Sequence, residues 1–533
     1  MKEIQGVPNY IHIGNASELK NPKDRRLYRF YEMLPGLLSW STLILIVILS
    51  YLIPVYTAIF IIIFDIYWLI KTIYLSMHMR SSFVRMRKNL KINWLKKAQE
   101  AKPKSQDLAG LKWNDLYHLV MLPMATEPYE VVRDSFEGLI KANYPLDKMI
   151  VVLATEERVG QKAQDIAKKI KDNFSHKFYK FIITVHPKDI AGEIAGKGSN
   201  EAWAGHEVKR VIDDLAIPYE KIITSVFDID TVVPHDFFGC LTWNYLTAEK
   251  PLRSSYQPIP LFINNIWHAP AFARIFAFST TFWQMMQQAR PEQLVTFSSQ
   301  SIPFKAITEI GFWQGNVVSE DSRIFWQALL RYDGDWRTIP MHYPVYMDSN
   351  VASSFWQTAK NQYKQIRRWL WGVENGAYFR YGFRKNKNVP RKKRWFFTLN
   401  IGEKDHSSAT NAIIIFLLGW LPTVIGRGNF SQTLLSYNLP QITRTIMSLA
   451  MIGLVSSALI SIMLLPPRPP QYGKFKWVWI VLQWILFPVN FIVFGAIPAL
   501  EAQTRLMFGK YMGFWVTPKD RGSDTKFKNE ILT

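Results

Sequence analysis

The chain has 533 residues, with 64 lysines and arginines against 42 aspartates and glutamates, which gives a formal net charge of +22. Apolar residues make up 48% of the chain and charged residues 20%, a composition that excludes a disordered or low-complexity protein. A single cysteine, Cys240, excludes an internal disulfide framework and a zinc site of the Cys₄ or Cys₂His₂ kind.

Apolar runs near both ends of the chain predict membrane-spanning helices. Residues 34–64 contain no charged side chain, and the apolar run continues to about residue 77. Such a run is too long for one crossing of a hydrocarbon core about 30 Å thick, so it predicts two spans, 35–53 and 55–77, that turn near Pro54. The predicted number of crossings rises to five or six with three further apolar runs, at 407–426, 445–465 and 477–500.

Basic residues beside these runs predict their orientation. They lie before the first span, after the second and before the third, and include Arg25, Arg26, Arg29, Arg80, Arg85, Arg87, Lys88, Arg384, Lys385, Lys387 and Arg391–Arg394. We therefore expect a multi-pass protein of the plasma or inner membrane whose termini and long middle face the cytoplasm. Because these cations flank the spans, they fit binding to anionic membrane lipids, and nucleic acid is not an expected partner.

The polar middle of the chain predicts a sheet. Four apolar runs typical of buried strands alternate with three helical stretches, in the order 116–122, 127–142, 149–154, 159–171, 181–185, 200–215 and 222–227. This alternation predicts a parallel sheet with helices on both faces. Ligands of such sheets bind beyond the carboxyl ends of the strands, so we expect the chemistry there.

Two carboxylates follow the fourth predicted strand. Asp228 and Asp230, spaced by one residue, suit a hard divalent cation that is shared with phosphate oxygens, and the alternative is a solvated turn. A second such pair, Asp333 and Asp335, has glycine at its centre, which predicts a structural hairpin turn.

A third acidic pair, Glu320 and Asp321, lies in a glycine-containing loop before a predicted helix at 322–331. A carboxylate in such a loop can act as a general base. The alternative is that Ser319 or Asp321 caps the amino end of the helix. These residues alone leave both interpretations open.

Gln365, Arg368 and Trp369 fall at positions i, i+3 and i+4, so they share one face of a predicted helix. An amide, a guanidinium and an indole on one face could receive a sugar hydroxyl, a diphosphate and a sugar ring. The alternative is an amphipathic helix on the membrane surface, and both interpretations can hold together.

The order of these motifs, D-x-D, then E-D, then Q-x-x-R-W between membrane spans, resembles the membrane-embedded family-2 glycosyltransferases, which include cellulose, chitin and hyaluronan synthases. The segment from Phe514 to Lys519 is similar to the F-x-V-T-x-K gating loop of cellulose synthase. The resemblance covers roughly residues 115–375 and 475–520. It implies an α/β fold, with a GT-A, Rossmann-like nucleotide-sugar-binding domain on the cytoplasmic side, inserted between α-helical transmembrane segments.

The resemblance also implies a role for each matching side chain. Asp228 and Asp230 would hold Mg²⁺ or Mn²⁺ on the nucleotide diphosphate. Asp321, with Glu320 beside it, would deprotonate the acceptor hydroxyl. The expected substrate contacts are Gln365 and Trp369 on the acceptor, Arg368, Thr517 and Lys519 on the diphosphate, and Glu127 and Lys197 near the nucleotide.

One position departs from the family pattern. The family usually has an aspartate that contacts the base at the end of its second strand, and this chain has Glu156 there. A UDP-sugar is the expected donor, but the longer side chain must reposition, so the uridine assignment stays open.

The predicted organisation has five segments. They are a cytoplasmic N-terminal segment (1–34), two transmembrane helices (35–77), a cytoplasmic glycosyltransferase domain with interfacial helices (78–400), three or four transmembrane helices (401–508) and a cytoplasmic tail (509–533).

The predicted function is inverting, metal-dependent transfer of a sugar from a nucleotide-sugar donor to a growing polysaccharide, coupled to export of that polysaccharide across the membrane. Inversion is expected because one base without a second nucleophilic carboxylate favours a single displacement. The alternatives are non-processive transfer to a lipid or short acceptor, and a membrane protein that binds nucleotide sugar without catalysis.

Overall fold

Seven strands form one sheet in the middle of the chain. The structure is a computed structural model that describes residues 7–473 and 475–518. The strands are β1 (Tyr117–Pro123), β2 (Met149–Glu156), β3 (Lys180–His186), β4 (Ile222–Val226), β5 (Ser254–Leu261), β6 (Ser301–Pro303) and β7 (Arg337–Tyr346).

The strands run in the order β3-β2-β1-β4-β6-β5-β7. The predicted parallel pairing is confirmed for β3, β2, β1 and β4. The other three strands were not predicted: β6 pairs antiparallel with β4 and β5, while β5 and β7 are parallel. The three-residue strand β6 is too short to leave an apolar pattern in the sequence, so the mixed pairing was not predicted.

Helices cover both faces of the sheet, as predicted. Alternate residues of β1 join different apolar clusters, with Val120 and Leu122 on one face and Leu119 and Met121 on the other. The helices of this lobe are α3 (Trp94–Glu100), α4 (Tyr129–Lys141), α5 (Gln161–Phe174), α6 (Lys197–Asp214), α7 (Phe237–Thr247), α8 (Ala271–Gln288), α9 (Phe304–Ile310), α10 (Glu320–Arg331), α11 (Phe355–Leu370) and α12 (Glu374–Lys385).

Four helical runs of the described chain are long and apolar enough to cross a membrane. They are α1 (Pro22–Leu52), α2 (Pro54–Asn89), α15 (Leu434–Met463) and the run Lys476–Met507, which contains α16 (Lys476–Leu482), α17 (Phe487–Phe491) and α18 (Ile497–Met507). The predicted break near Pro54 is confirmed, because α1 ends at Leu52 and α2 begins at Pro54.

The predicted span at 407–426 does not form one helix. α13 (Arg391–Ile413) begins in the basic stretch, a π-helical segment follows at Ile414–Leu418, and α14 is Leu421–Ile425. Pro422 lacks an amide hydrogen and starts a new helix, so the apolar run is interrupted. The Asp333–Asp335 turn also differs from prediction, since it joins helix α10 to strand β7 and is not a hairpin.

Candidate active site

A pocket lies at the carboxyl ends of β1, β2 and β4, where the sequence places its candidate residues. Glu320 lies behind its wall and is buried, and Lys519 lies outside the described residues. The other predicted site residues all line the pocket, and they are Glu127, Glu156, Lys197, Asp228, Asp230, Asp321, Gln365, Arg368, Trp369 and Thr517.

The two aspartates of the D-x-D motif are fixed by different neighbours. Asp230 is fully buried, and its Oδ2 accepts a hydrogen bond of 2.9 Å from the backbone N–H of Asp348. Asp228 is part-exposed, and its Oδ2 accepts from Ser298 Oγ at 2.6 Å while its Oδ1 lies 2.9 Å from Lys197 Nζ. Both side chains therefore present carboxylate oxygens at the pocket in a fixed geometry.

The ammonium of Lys197 lies at the centre of four carboxylates. Its Nζ is 2.7 Å from Asp321 Oδ1, 2.9 Å from Asp228 Oδ1, and 3.5 Å from both Glu201 Oε1 and Glu320 Oε1. Carboxylate oxygens of Glu201, Glu320 and Asp321 also lie within 4.8 Å of one another, a spacing compatible with a metal ion. The Lys197 ammonium is the cation that this group holds.

Burial and these close charges shift the pKa values of the cluster. Burial alone would lower the pKa of Lys197, but the surrounding carboxylates raise it well above its usual range, so the ammonium stays charged. Burial raises the pKa of Glu320 to about 8, and the neighbouring Asp321 adds to the rise. Burial also raises the pKa values of Glu201 and Asp321, against the lowering effect of Lys197. Burial therefore disfavours the charged forms of both buried glutamates, while the Lys197 ammonium opposes that shift.

Asp321 does not cap its helix. Ser319 occupies the N-cap position of α10 without a side-chain capping bond. The carboxylate of Glu374 instead accepts hydrogen bonds from the backbone N–H of Ser319, at 3.1 Å, and from its hydroxyl, at 2.6 Å. The capping alternative is therefore wrong for Asp321, whose carboxylate lies at the pocket wall in contact with Lys197, while Ser319 is the N-cap residue without a side-chain capping bond.

Helix α11 places Gln365, Arg368 and Trp369 on the pocket wall, which confirms that they share one face. The indole of Trp369 lies against two phenylalanine rings, with centroids 5.9 Å from both Phe262 and Phe297. These three aromatic side chains all line the pocket. They give one side of it an apolar surface of the kind that packs against a sugar ring.

The chain after α18 folds back over the pocket. The ring of Phe514 lies 4.7 Å from the guanidinium of Arg368 and packs on Gly196, where an added Cβ would come within 2.5 Å of the ring. A side chain at position 196 would therefore push this segment away. Thr517 follows and is buried at the pocket wall.

The two glutamates near the first strands have local partners. Oε2 of Glu127 accepts a hydrogen bond of 2.7 Å from the backbone N–H of Ala125. Oε1 of Glu156 accepts from Arg158 Nη2 at 3.0 Å. Glu156 is buried, so this ion pair decides how much of the carboxylate is available to a ligand.

Several residues in or beside the pocket were not predicted from the sequence. Glu201 could have been found, because it lies one helical turn after Lys197 and such pairs face each other. Asn200 and Asp348 line the pocket without a motif. Asn200 donates to the backbone carbonyl of Ala154 at 2.9 Å, a contact that depends on the packing of α6 against β2.

A mixed α/β sheet, with acidic side chains beyond its parallel strands and apolar helices on either side in sequence, defines a GT-A-like glycosyltransferase architecture. Residues 223–496 match the family described as Glycosyl transferase family group 2. This match spans more than half of the chain, so the chain belongs to that family and the protein is a glycosyltransferase. The non-catalytic alternative is therefore wrong.

Solved structures add distant likenesses. The mannosyltransferase PcManGT from Pyrobaculum calidifontis, in complex with GDP-Man and Mn²⁺, is 12% identical, with 83% of this chain and 99% of that chain covered and a TM-score of 0.37. TarS 1-349 from S. aureus, in complex with UDP-GlcNAc, is 8% identical, with 64% and 90% covered and a TM-score of 0.28. Likenesses at these scores say nothing about the substrate of this chain. None of the curated proteins matches it.

Proposed function

We propose that the protein transfers a sugar from a nucleotide-sugar donor to a growing saccharide by a single displacement that inverts the anomeric carbon, with Asp321 as the base. The observation that carries this proposal is the contact of one ammonium, Lys197, with both Asp228 and Asp321. It brings a diphosphate-side carboxylate and a base to the same end of the sheet. Asp321 also lines the pocket, where an acceptor hydroxyl can reach it.

In the proposed step, the acceptor hydroxyl gives its proton to the carboxylate of Asp321 while its oxygen attacks the anomeric carbon. The bond from that carbon to the donor diphosphate breaks, and the electron pair leaves with the diphosphate. Arg368, on the pocket wall, would stabilise the departing charge. One displacement moves the new bond to the opposite face of the sugar, which is inversion.

The donor set at Asp228 and Asp230 fits Mg²⁺ or Mn²⁺. Both side chains line the pocket with carboxylate oxygens, the ligands that these hard cations prefer. These two residues would hold the ion. When bound, it would neutralise charge on the leaving diphosphate.

The acceptor side of the pocket supports a saccharide. The amide of Gln365 would receive a hydroxyl, and the indole of Trp369, backed by Phe262 and Phe297, would pack on a sugar ring. We propose elongation of a polysaccharide, with the membrane helices of the same chain forming its exit. Transfer of one sugar to a lipid or short acceptor is the second candidate, because the aromatic wall is apolar enough for either.

The proposed location of the catalytic lobe is the cytoplasmic side of the membrane. Basic residues flank the ends of the apolar helices that adjoin the catalytic lobe, as is typical of the cytoplasmic side. Arg29, at the start of α1, donates to the backbone carbonyl of Leu506 at 2.8 Å, which supports a position for the end of α18 on the same side of the membrane as the start of α1. The segment after Met507 would then lie beside the lobe, where Phe514 contacts Arg368.

The test is a panel of nucleotide-sugar donors added to the purified protein with Mn²⁺ or Mg²⁺, with nucleotide release and product size as the measurements. Release of nucleotide with products many sugars long supports elongation. Products with one added sugar would favour the second candidate. Release at an equal rate from the wild type and Asp321→Asn would overturn the assigned base.

A further inference from the structure

We propose that Glu201 is a positioning residue for glycosyl transfer. Together with Glu320, Glu201 holds the Lys197 ammonium on the side away from the pocket. This one cation then keeps Asp228 and Asp321 in fixed places on the pocket wall. The proposal rests on the proposed function, because it takes Asp321 as the base.

The four carboxylates around Lys197 form two layers. Asp321 and Asp228 lie on the pocket side, where their side chains are 25% and 30% exposed. Glu201 and Glu320 lie on the protein side, where their side chains are 0% and 1% exposed. The shorter distances, 2.7 and 2.9 Å, are to the pocket-side pair, and both buried oxygens are 3.5 Å away. The ammonium is therefore held between the two layers.

The fold fixes Glu201 in this place. Lys197 and Glu201 are four residues apart on α6, so both side chains lie on the helix face that meets α10. Gly198 allows that approach, because a Cβ there would come 3.1 Å from the Cβ of Glu320. The close packing of the two helices puts the buried glutamates on the same side of the ammonium.

Packing alone does not account for Glu201. In the described part of the chain, neither oxygen of Glu201 or of Glu320 has a hydrogen-bond partner. A buried carboxyl without hydrogen bonds is costly unless a charge lies beside it. The nearby charge is the Lys197 ammonium, so the function of Glu201 should be exerted through that cation.

Loss of Glu201 should change the base without removing it. With one buried carboxyl gone, the ammonium moves toward the pocket and pairs more tightly with Asp321. A carboxylate that is paired more tightly with a cation is a weaker base. The effect should fall mainly on turnover, because the shortest contact of the ammonium, 2.7 Å, is to Asp321, the proposed base.

The experiment compares Glu201→Leu, which removes both oxygens at similar size, with Glu201→Gln, whose amide oxygen can still accept from Lys197. Asp134→Leu is the matched control, because Asp134 is a buried carboxylate on α4 that does not line the pocket. For each variant, kcat, the KM for donor and the thermal midpoint are measured in the full-length protein. If Glu201→Leu does not fold, Glu201→Ala removes the same oxygens without added bulk.

We expect kcat of Glu201→Leu to fall about tenfold, the scale of coupling within one ion-pair network, and the donor KM to change less, by way of the contact of Lys197 with Asp228. Glu201→Gln and Asp134→Leu should keep most of the wild-type kcat. Wild-type kcat in Glu201→Leu, an equal loss in Asp134→Leu, or an equal loss in Glu201→Gln would each overturn the positioning role. If the wild type transfers sugar in these experiments, any of those three results overturns only the role of Glu201 and leaves the proposed function in place. If the wild type transfers no sugar, the proposed function and the role of Glu201 are both overturned.

Discussion

Lys197 and Asp321 are in direct contact, with Nζ and Oδ1 2.7 Å apart, although 124 residues separate them in the chain. The first lies at the start of α6 and the second at the start of α10. The same ammonium also reaches Asp228 after β4. A single cation thus joins three distant segments of the chain at one point.

Replacement of the base should abolish turnover and spare donor binding. Asp321→Asn keeps the shape of the side chain but cannot take the acceptor proton, so kcat should fall by about 10²–10⁴-fold. The donor dissociation constant should stay close to that of the wild type. Nucleotide release measures kcat, and titration calorimetry measures the donor dissociation constant. Asp335→Asn is the control, because this part-exposed aspartate pairs with Lys250 away from the pocket. Retained turnover in Asp321→Asn would require another base.

The metal proposal predicts a change in ligand binding that needs no turnover. Mn²⁺ should tighten the binding of nucleoside diphosphate to the wild type, because the cation lies between two groups of negative oxygens. Asp228→Asn should lose that gain, and Asp335→Asn should keep it. Titration of nucleotide with and without Mn²⁺ gives the comparison. An equal affinity in the wild type under both conditions would contradict a metal at Asp228.

The segment that covers the pocket should contribute to donor affinity. Phe514→Ala removes the ring that packs on Gly196 and on the guanidinium of Arg368. Loss of such a cation–π contact, about 1.4 kcal/mol, should weaken donor binding about tenfold. Phe508→Ala, at an exposed ring just before the segment, should have no effect. If both variants bind donor equally well, the covering segment does not act on the donor.

The stability of the lobe should fall in acid because of His118. Its ring is fully buried, with Nε2 2.9 Å from Thr242 Oγ1, and burial lowers its pKa from 6.5 to about 3. The imidazole ring therefore stays neutral in the folded state, whereas in the unfolded state it takes up a proton below about pH 6.5. The stability that this difference contributes is complete above pH 6.5 and is lost as the pH falls toward 3, at about 1.4 kcal/mol per pH unit.

The measurement is the thermal midpoint of the purified protein between pH 7 and pH 4. The midpoint should fall less steeply in His118→Gln, whose side chain cannot take up a proton. His235, which is 69% exposed, provides the control, and His235→Gln should follow the wild type. A wild-type slope that His118→Gln leaves unchanged would show that other groups govern acid unfolding.

Local sequence patterns predicted several strands and helices of this protein and the shared face of three site residues. Continuous apolar runs predicted β1 to β4 because buried parallel strands need apolar side chains on both faces. The helix at α11 put Gln365, Arg368 and Trp369 on one face because the helical repeat fixes that spacing. Long uncharged runs predicted α1 and α2 because the bilayer core excludes charge.

Only the tertiary structure decided which distant groups meet. The short strand β6 and the interruption at Pro422 involve too few residues to form a pattern. The convergence of Lys197 on Asp228 and Asp321 depends on how α6 packs against α10 and the sheet, and no spacing in the sequence encodes those distances. The sequence thus identified most of the candidate residues. Their mutual distances, and the ion pairs between them, were set by the packing that buries them together.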